Sequence, residues 1–159
     1  VLSLTGAKKV SLVGYSMGGL VSRYYVERLG GADRVEKVVT LGTPHLGSRV
    51  ATLSKGKVAL SMIPGSDFLA DLQAAGLSKQ VSYTAIWSDF DHLVLPSESA
   101  ELEKPAVSIQ VSGLGHGGIL FSRAVSDCVL NALDPSEFPS KSSEDVGGQT
   151  EVVALDSLG

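Results

Sequence analysis

Cysteine is nearly absent from this chain. Cys128 is its single cysteine, which excludes an internal disulfide and any cysteine-based metal cluster. Its place in a helix-like apolar pattern reads as core rather than as a catalytic thiol. Positive charge is also short: 13 Lys and Arg stand against 17 Asp and Glu, for a net charge of -4. No basic patch stands out, so nucleic acid is excluded as the main partner. No apolar run reaches the roughly 18 residues that a membrane span needs. Aromatics make up 6% and charged residues 19%. What remains is a 43% hydrophobic chain of 159 residues, the composition of one ordinary globular domain with a sizeable core. There is no internal repeat.

What the chain does have is glycine arranged around one serine. In Val10-Ser-Leu-Val-Gly14-Tyr-Ser16-Met-Gly18-Gly-Leu20 an apolar run leads into Gly-x-Ser-x-Gly, and a helix-like pattern follows at once. This is the spacing of a nucleophile elbow, a serine on a sharp turn between strand and helix. Strain at Ser16 and crowding two residues to either side call for glycine at Gly14 and Gly18. The hydroxyl is lifted to the positive N-terminus of the helix, and the Met17 amide falls where an oxyanion would form. A dinucleotide phosphate loop fits poorly, because G-x-G-x-x-G is missing.

The rest of the chain reads as alternating strands and helices. The run 10–13 predicts a strand buried on both faces. Leu20, Val21, Tyr24, Tyr25 and Leu29 recur at helical spacing until Gly30-Gly31 stops them. Val35 to Leu41 predicts a second strand, parallel to the first through a βαβ unit. The stretch 49–64 favours a helical connection over a lid. Ser66 caps a short helix to about Ala75, closed by Gly76. Strands follow at 83–88 and 106–111, then a helix from about Gly118 to Leu133 with an apolar stripe that includes Leu120 and Phe121. Residues 1–133 thus form the domain, and 134–159 read as a polar, disordered tail. Residues 151–155 could add a strand whose partner lies elsewhere.

An activated serine needs a base, and the base an orienting acid. On this kind of elbow the chain order is serine, acid, histidine. Ser16, Asp91 and His116 satisfy it, each just past a predicted strand, where the active sites of open α/β sheets gather. His45 lines the site at most, since it precedes the acid. His92 adjoins the acid and would point away from it. Asp89 competes with Asp91 in the same loop, and Asp91 is favoured by the neighbouring Leu93-Val94 anchor. Glu98 and Glu101 read as solvated.

Several segments in order carry a resemblance: Thr5-Gly-Ala-Lys-Lys-Val10, Gly14-Tyr-Ser-Met-Gly-Gly19, Val38-Val-Thr-Leu-Gly-Thr-Pro-His45-Leu-Gly-Ser48, Ile86-Trp-Ser-Asp-Phe-Asp91-His-Leu-Val94 and Gly113-Leu-Gly-His116. Together they resemble bacterial triacylglycerol lipases and esterases of the α/β-hydrolase superfamily. The resemblance implies a mostly parallel sheet with flanking helices and a serine hydrolase acting on lipid-like carboxylic esters. Ser16 would be nucleophile, His116 base, Asp91 its orienter and Met17 N–H an oxyanion donor, with no cofactor needed. By analogy a structural calcium would fit some members, with no ligand set identifiable in this chain. It also implies secretion, and contact with a lipid interface rather than a transmembrane anchor. The family places several strands and a second oxyanion donor ahead of the elbow. This sequence starts just before the elbow strand, so that part is expected outside it, leaving an unpartnered edge and a poorly stable chain. The same triad would serve acyl transfer or thioester and amide hydrolysis. A non-catalytic binding module of the same fold is the rival from another class, and three triad types in order argue against it.

Overall fold

The structure, a computed structural model, describes residues 1–53, 55–137 and 151–153. Its helices and strands in chain order are α1 (Leu2–Thr5), β1 (Val10–Tyr15), α2 (Met17–Arg28), β2 (Val35–Leu41), α3 (Lys57–Leu60), α4 (Asp67–Ala75), β3 (Ser82–Ser88), β4 (Val107–Val111), α5 (Arg123–Leu133) and β5 (Glu151–Val153). The strands form one sheet in the order β1-β2-β3-β4-β5, with every neighbouring pair parallel. A parallel sheet requires crossovers, and these lay helices on its faces.

The alternation along each strand assigns those faces. Val38 on β2 and Tyr83 and Ala85 on β3 pack toward Val26 of α2. The residues between them, Val39, Leu41 and Ile86, pack with Ile109 and Val111 against Val125 of α5. The β2 and β3 strands are therefore buried on both sides, which explains their β-branched, nearly continuous apolar sequence. On the α2 side α4 adds a second layer: Leu69 and Leu72 meet Leu20, and the Tyr24 and Phe68 rings lie 5.3 Å apart. Each fully buried leucine here contributes about 1.5–3 kcal/mol of burial free energy. The Arg28–Asp71 ion pair across the same helices is exposed, and contributes at most about 1 kcal/mol.

Most expected elements appear close to their predicted limits, including the Ser66 cap, whose hydroxyl accepts from Leu69 N–H at 3.4 Å. Four expectations are corrected. The β1 strand is an edge among the described residues, not a strand buried on both faces, and Val13 is 49% exposed because the core under α5 gathers over β2, β3 and β4. The final helix is two elements: a 3-10 segment, His116–Phe121, and then α5, whose N-cap Ser122 accepts from Val125 N–H. Leu120 and Phe121 consequently point outward instead of joining the apolar stripe. The short strand near the end pairs with β4 rather than with something outside the chain. Along α2 and its C-cap the helical periodicity misjudged the faces: Val21 and Leu29 are exposed, while Arg23 is buried. Segment 49–64 holds a 3-10 turn, Arg49–Leu53, and α3, in line with a helical connection. Of the tail expected at 134–159, residues 138–150 and 154–159 lie outside the described residues.

Candidate active site

The β1 strand ends at Tyr15 and α2 begins at Met17, so Ser16 alone makes the turn. It sits at φ 51° and ψ -123°, and is the one non-glycine residue with positive φ among the described residues. Such a backbone costs about 1–3 kcal/mol and persists only where its surroundings hold it. Three hydrogen bonds do so. Ser16 N–H donates to the Leu41 carbonyl at 2.8 Å. The Ser16 carbonyl accepts from Gly19 N–H at 3.1 Å and from the Thr43 hydroxyl at 2.8 Å. The serine hydroxyl does not cap α2. Met17 opens the helix, so its N–H lacks an intrahelical acceptor.

The crowding expected at Gly14 is present: a Cβ there would stand 2.6 Å from Gly19 Cα. At Gly18 it is not, since a Cβ would meet nothing within 4 Å. The second tight glycine is Gly19, where a Cβ would overlap the Thr43 side chain. The reason is helical phase, because Gly19 faces the loop after β2 and Gly18 faces away.

Asp91 follows β3 and His116 follows β4, and the structure joins them. Asp91 Oδ2 accepts from His116 Nδ1 at 2.6 Å, with both residues buried. The other carboxylate oxygen accepts the N–H groups of Leu93 at 2.8 Å and Val94 at 3.0 Å. Burial, the largest single influence, pushes the Asp91 carboxyl up. The hydrogen bonds from His116 and the two amides, together with the attraction of the imidazole, outweigh it and hold the carboxyl below its ordinary value. A carboxylate at Nδ1 accepts a hydrogen bond from the N–H there, which keeps the proton on that nitrogen and leaves Nε2 as the basic one. Asp89, the competing acid, is exposed and accepts from Gly113 N–H at 3.0 Å, which braces the loop carrying His116. Glu98 is exposed and Glu101 half-buried.

Tyr15 links this pair to the elbow. Its ring lies 4.9 Å from the imidazole of His116, and its hydroxyl donates to the His116 carbonyl at 3.2 Å. Its phenol is raised above the ordinary value by burial first and the Asp91 charge second. The residue preceding the serine thus touches the histidine directly.

The other two histidines have different places. His92 is exposed beside Gly115, whose Cβ would come within 3.1 Å of its ring. His45 does not line the site. It is fully buried, with Nδ1 accepting from the Arg23 guanidinium at 3.2 Å and Nε2 paired with Thr40 Oγ1 at 3.0 Å. Burial and then the Arg23 charge hold it well below histidine's ordinary value, so the ring is neutral. Sequence reasoning missed the parts played by Arg23, a buried charge inside an amphipathic helix, and by Thr43, which lies within one of the segments it had singled out. Only its place two turns after Ser16, on the same helix face, could have pointed to Arg23. No group of three or more His, Cys, Asp or Glu side chains could hold a metal ion among the described residues. Among the same residues no helix is long and apolar enough to cross a membrane.

The family model for palmitoyl protein thioesterase matches residues 2–91. A triacylglycerol lipase of Pseudarthrobacter phenanthrenivorans is 51% identical over 51 residues, covering 32% of this chain and 15% of the lipase. A triacylglycerol lipase of Vibrio cholerae serotype O1 is 38% identical over 85 residues, covering 48% of this chain and 27% of the lipase. The matched stretches thus span about a quarter or less of these curated relatives. Among solved structures, mature Bacillus licheniformis lipase BlEst2 superposes with a TM-score of 0.68 at 21% identity, over 83% of this chain and 67% of that one. An α/β hydrolase fold protein from Chitinophaga pinensis gives a TM-score of 0.53 at 14% identity, over 84% and 68%. At such identities these two establish the fold, which is that of an α/β hydrolase.

Proposed function

This chain belongs to the palmitoyl protein thioesterase family, within the α/β-hydrolase lipases and esterases, and from that premise we propose that it is the catalytic part of a serine hydrolase that cleaves lipid-like carboxylic esters. The observation that carries the reading is the buried Asp91–His116 pair at 2.6 Å, tied through Tyr15 to a strained Ser16. Ser16 Oγ attacks the ester carbonyl carbon while His116 Nε2 takes its proton, and the Met17 N–H receives the charge that develops on oxygen. Asp91 holds the imidazole in the required tautomer and stabilises it once protonated. Collapse of the tetrahedral adduct expels the alcohol, which leaves with the proton from Nε2. Water then attacks the acyl-serine, its proton passing to Nε2 and on to Ser16, and the carboxylic acid is released.

Exposed apolar side chains support an acyl substrate. Met17, Leu46, Leu93, Leu95, Leu120 and Phe121 are all exposed, and all lie on segments that leave the C-terminal ends of the strands. Side chains of this kind accept a hydrocarbon chain or the surface of a lipid aggregate, and an extracellular site of action accords with such a substrate. A thioester substrate is the second reading, favoured by the family match over residues 2–91. It uses the same acyl-serine and differs only in releasing a thiol.

Intact-mass labelling with a fluorophosphonate tests the proposal. The expected result is one adduct on the wild-type chain, located at Ser16 and missing from Ser16→Ala. Equal labelling of both proteins would overturn it. Matched oxygen esters and thioesters of one acyl length then decide between the two leaving groups.

A further inference from the structure

The loop Gly42-Thr43-Pro44-His45 takes no part in the proton relay, and with His45 sealed inside it has no histidine to offer substrate. It is nevertheless anchored to several neighbouring elements. Gly42 N–H donates to Ile86 O at 2.9 Å, and His45 N–H to Thr43 O at 2.8 Å. The His45 ring is held between Arg23 of α2 and Thr40 of β2. Its carbonyl accepts from Gln73 Nε2 of α4 at 2.8 Å. Directly after it, Leu46 N–H reaches Ser99 O at 3.0 Å. A loop bound to this many elements is a fixed surface against which a strained neighbour can be held.

Thr43 is the side chain that this surface turns toward the elbow. Its hydroxyl donates to the Ser16 carbonyl at 2.8 Å, and it fills the space that the missing Cβ of Gly19 leaves open. That carbonyl and the N–H of Met17 belong to one planar peptide unit, and in a trans peptide they point in opposite directions. Whatever fixes the carbonyl therefore fixes the N–H. We infer that Thr43 is a positioning residue: by gripping the Ser16 carbonyl it aims the Met17 N–H at the developing oxyanion and holds Ser16 in its strained, positive-φ conformation. The Arg23–His45–Thr40 chain keeps Thr43 in place. This inference rests on Ser16 being the nucleophile.

Gly19 N–H, at 3.1 Å, is the Ser16 carbonyl's remaining donor once the hydroxyl is removed. Losing an oxyanion donor outright costs roughly 10²- to 10³-fold in turnover, so loss of aim alone is expected to cost about tenfold. Ground-state binding should not change, because the donor acts on charge that appears only in the transition state.

The test compares Thr43→Ser, Thr43→Ala and Thr43→Val in the full chain, with Ser16→Ala beside them. It reads the phosphonylation rate at Ser16 and, on a short soluble ester, kcat separately from KM. Thr43→Ser should keep most of the wild-type rate. Thr43→Ala and Thr43→Val should each lose about tenfold in rate and kcat with KM unchanged. The Ser and Ala variants differ by one hydroxyl, so their comparison stands even where valine disturbs the packing. Equal rates for these two, whether fast or slow, would overturn the role of the hydroxyl, as would a loss confined to KM. Labelling of Ser16→Ala at the wild-type rate would instead remove the nucleophile assignment, an outcome distinct from any difference among the Thr43 variants.

Discussion

Acid should weaken this fold through His45 in particular, and the size of the effect follows from its burial. The ring is fully enclosed, one nitrogen faces a guanidinium, and both nitrogens are already paired. Protonation in place would put a second positive charge against Arg23 without solvent, so the native state keeps the ring neutral. The unfolded chain takes a proton near histidine's ordinary 6.5. Above that value both states are neutral and the residue adds no pH dependence. Below it only the unfolded state gains a proton, so stability falls as pH falls, by about 1.4 kcal/mol per unit. Between about pH 7.5 and about pH 5.5 the expected loss is roughly 1.3 kcal/mol, a considerable part of a total of about 5–15 kcal/mol. His45→Gln offers an acceptor to Arg23 and a donor to Thr40 without titrating. Urea unfolding of both proteins can be followed by the fluorescence of Trp87, which is 3% exposed and the chain's single tryptophan. The stability advantage of the wild type over His45→Gln should shrink by that roughly 1.3 kcal/mol on acidification. Taking this difference removes the contributions that the two proteins share, His116 and the carboxylates included. An advantage that stays constant across the range would refute the reasoning.

Two further outcomes are expected at the site. Asp91→Asn should lower the labelling rate at Ser16 by about 10³- to 10⁴-fold, because an amide at His116 Nδ1 favours the wrong tautomer. Asp89→Asn should stay within about threefold, since a side-chain amide oxygen still accepts from Gly113 N–H; the reverse ranking would move the orienting role to Asp89. Tyr15→Phe loses the bond to the His116 carbonyl but keeps the ring, and should cost a few-fold in kcat/KM, roughly the worth of one neutral hydrogen bond. Tyr15→Leu should cost more, and a leucine variant as fast as wild type would show that the ring contact gives the base no support.

What the sequence by itself determined is local. Gly14-x-Ser16 with an apolar run before it reads as a strand-to-helix turn, because the steric limits that call for glycine act within a few residues. The β-branched runs at 35–41 and 82–88 and the cap at Ser66 were legible for the same reason. So was the order of serine, acid and histidine, which places each group at the end of a strand. Tertiary structure decided whatever depends on residues distant in the chain. Asp91 rather than Asp89 meets His116, 25 residues on, because the amides of Leu93 and Val94 turn its carboxylate inward. Tyr15 reaches a partner 101 residues away, and no spacing rule foretells that contact. Gly19, not Gly18, proved to be the crowded glycine, since only the docked loop after β2 defines which side of α2 is tight. His45 read as a candidate for the site and is instead sealed against Arg23, because hydropathy periodicity assigns a charged helical residue to water. That rule fails where a neighbouring element supplies the hydrogen-bond partner, and the partner becomes visible only when the chain is folded.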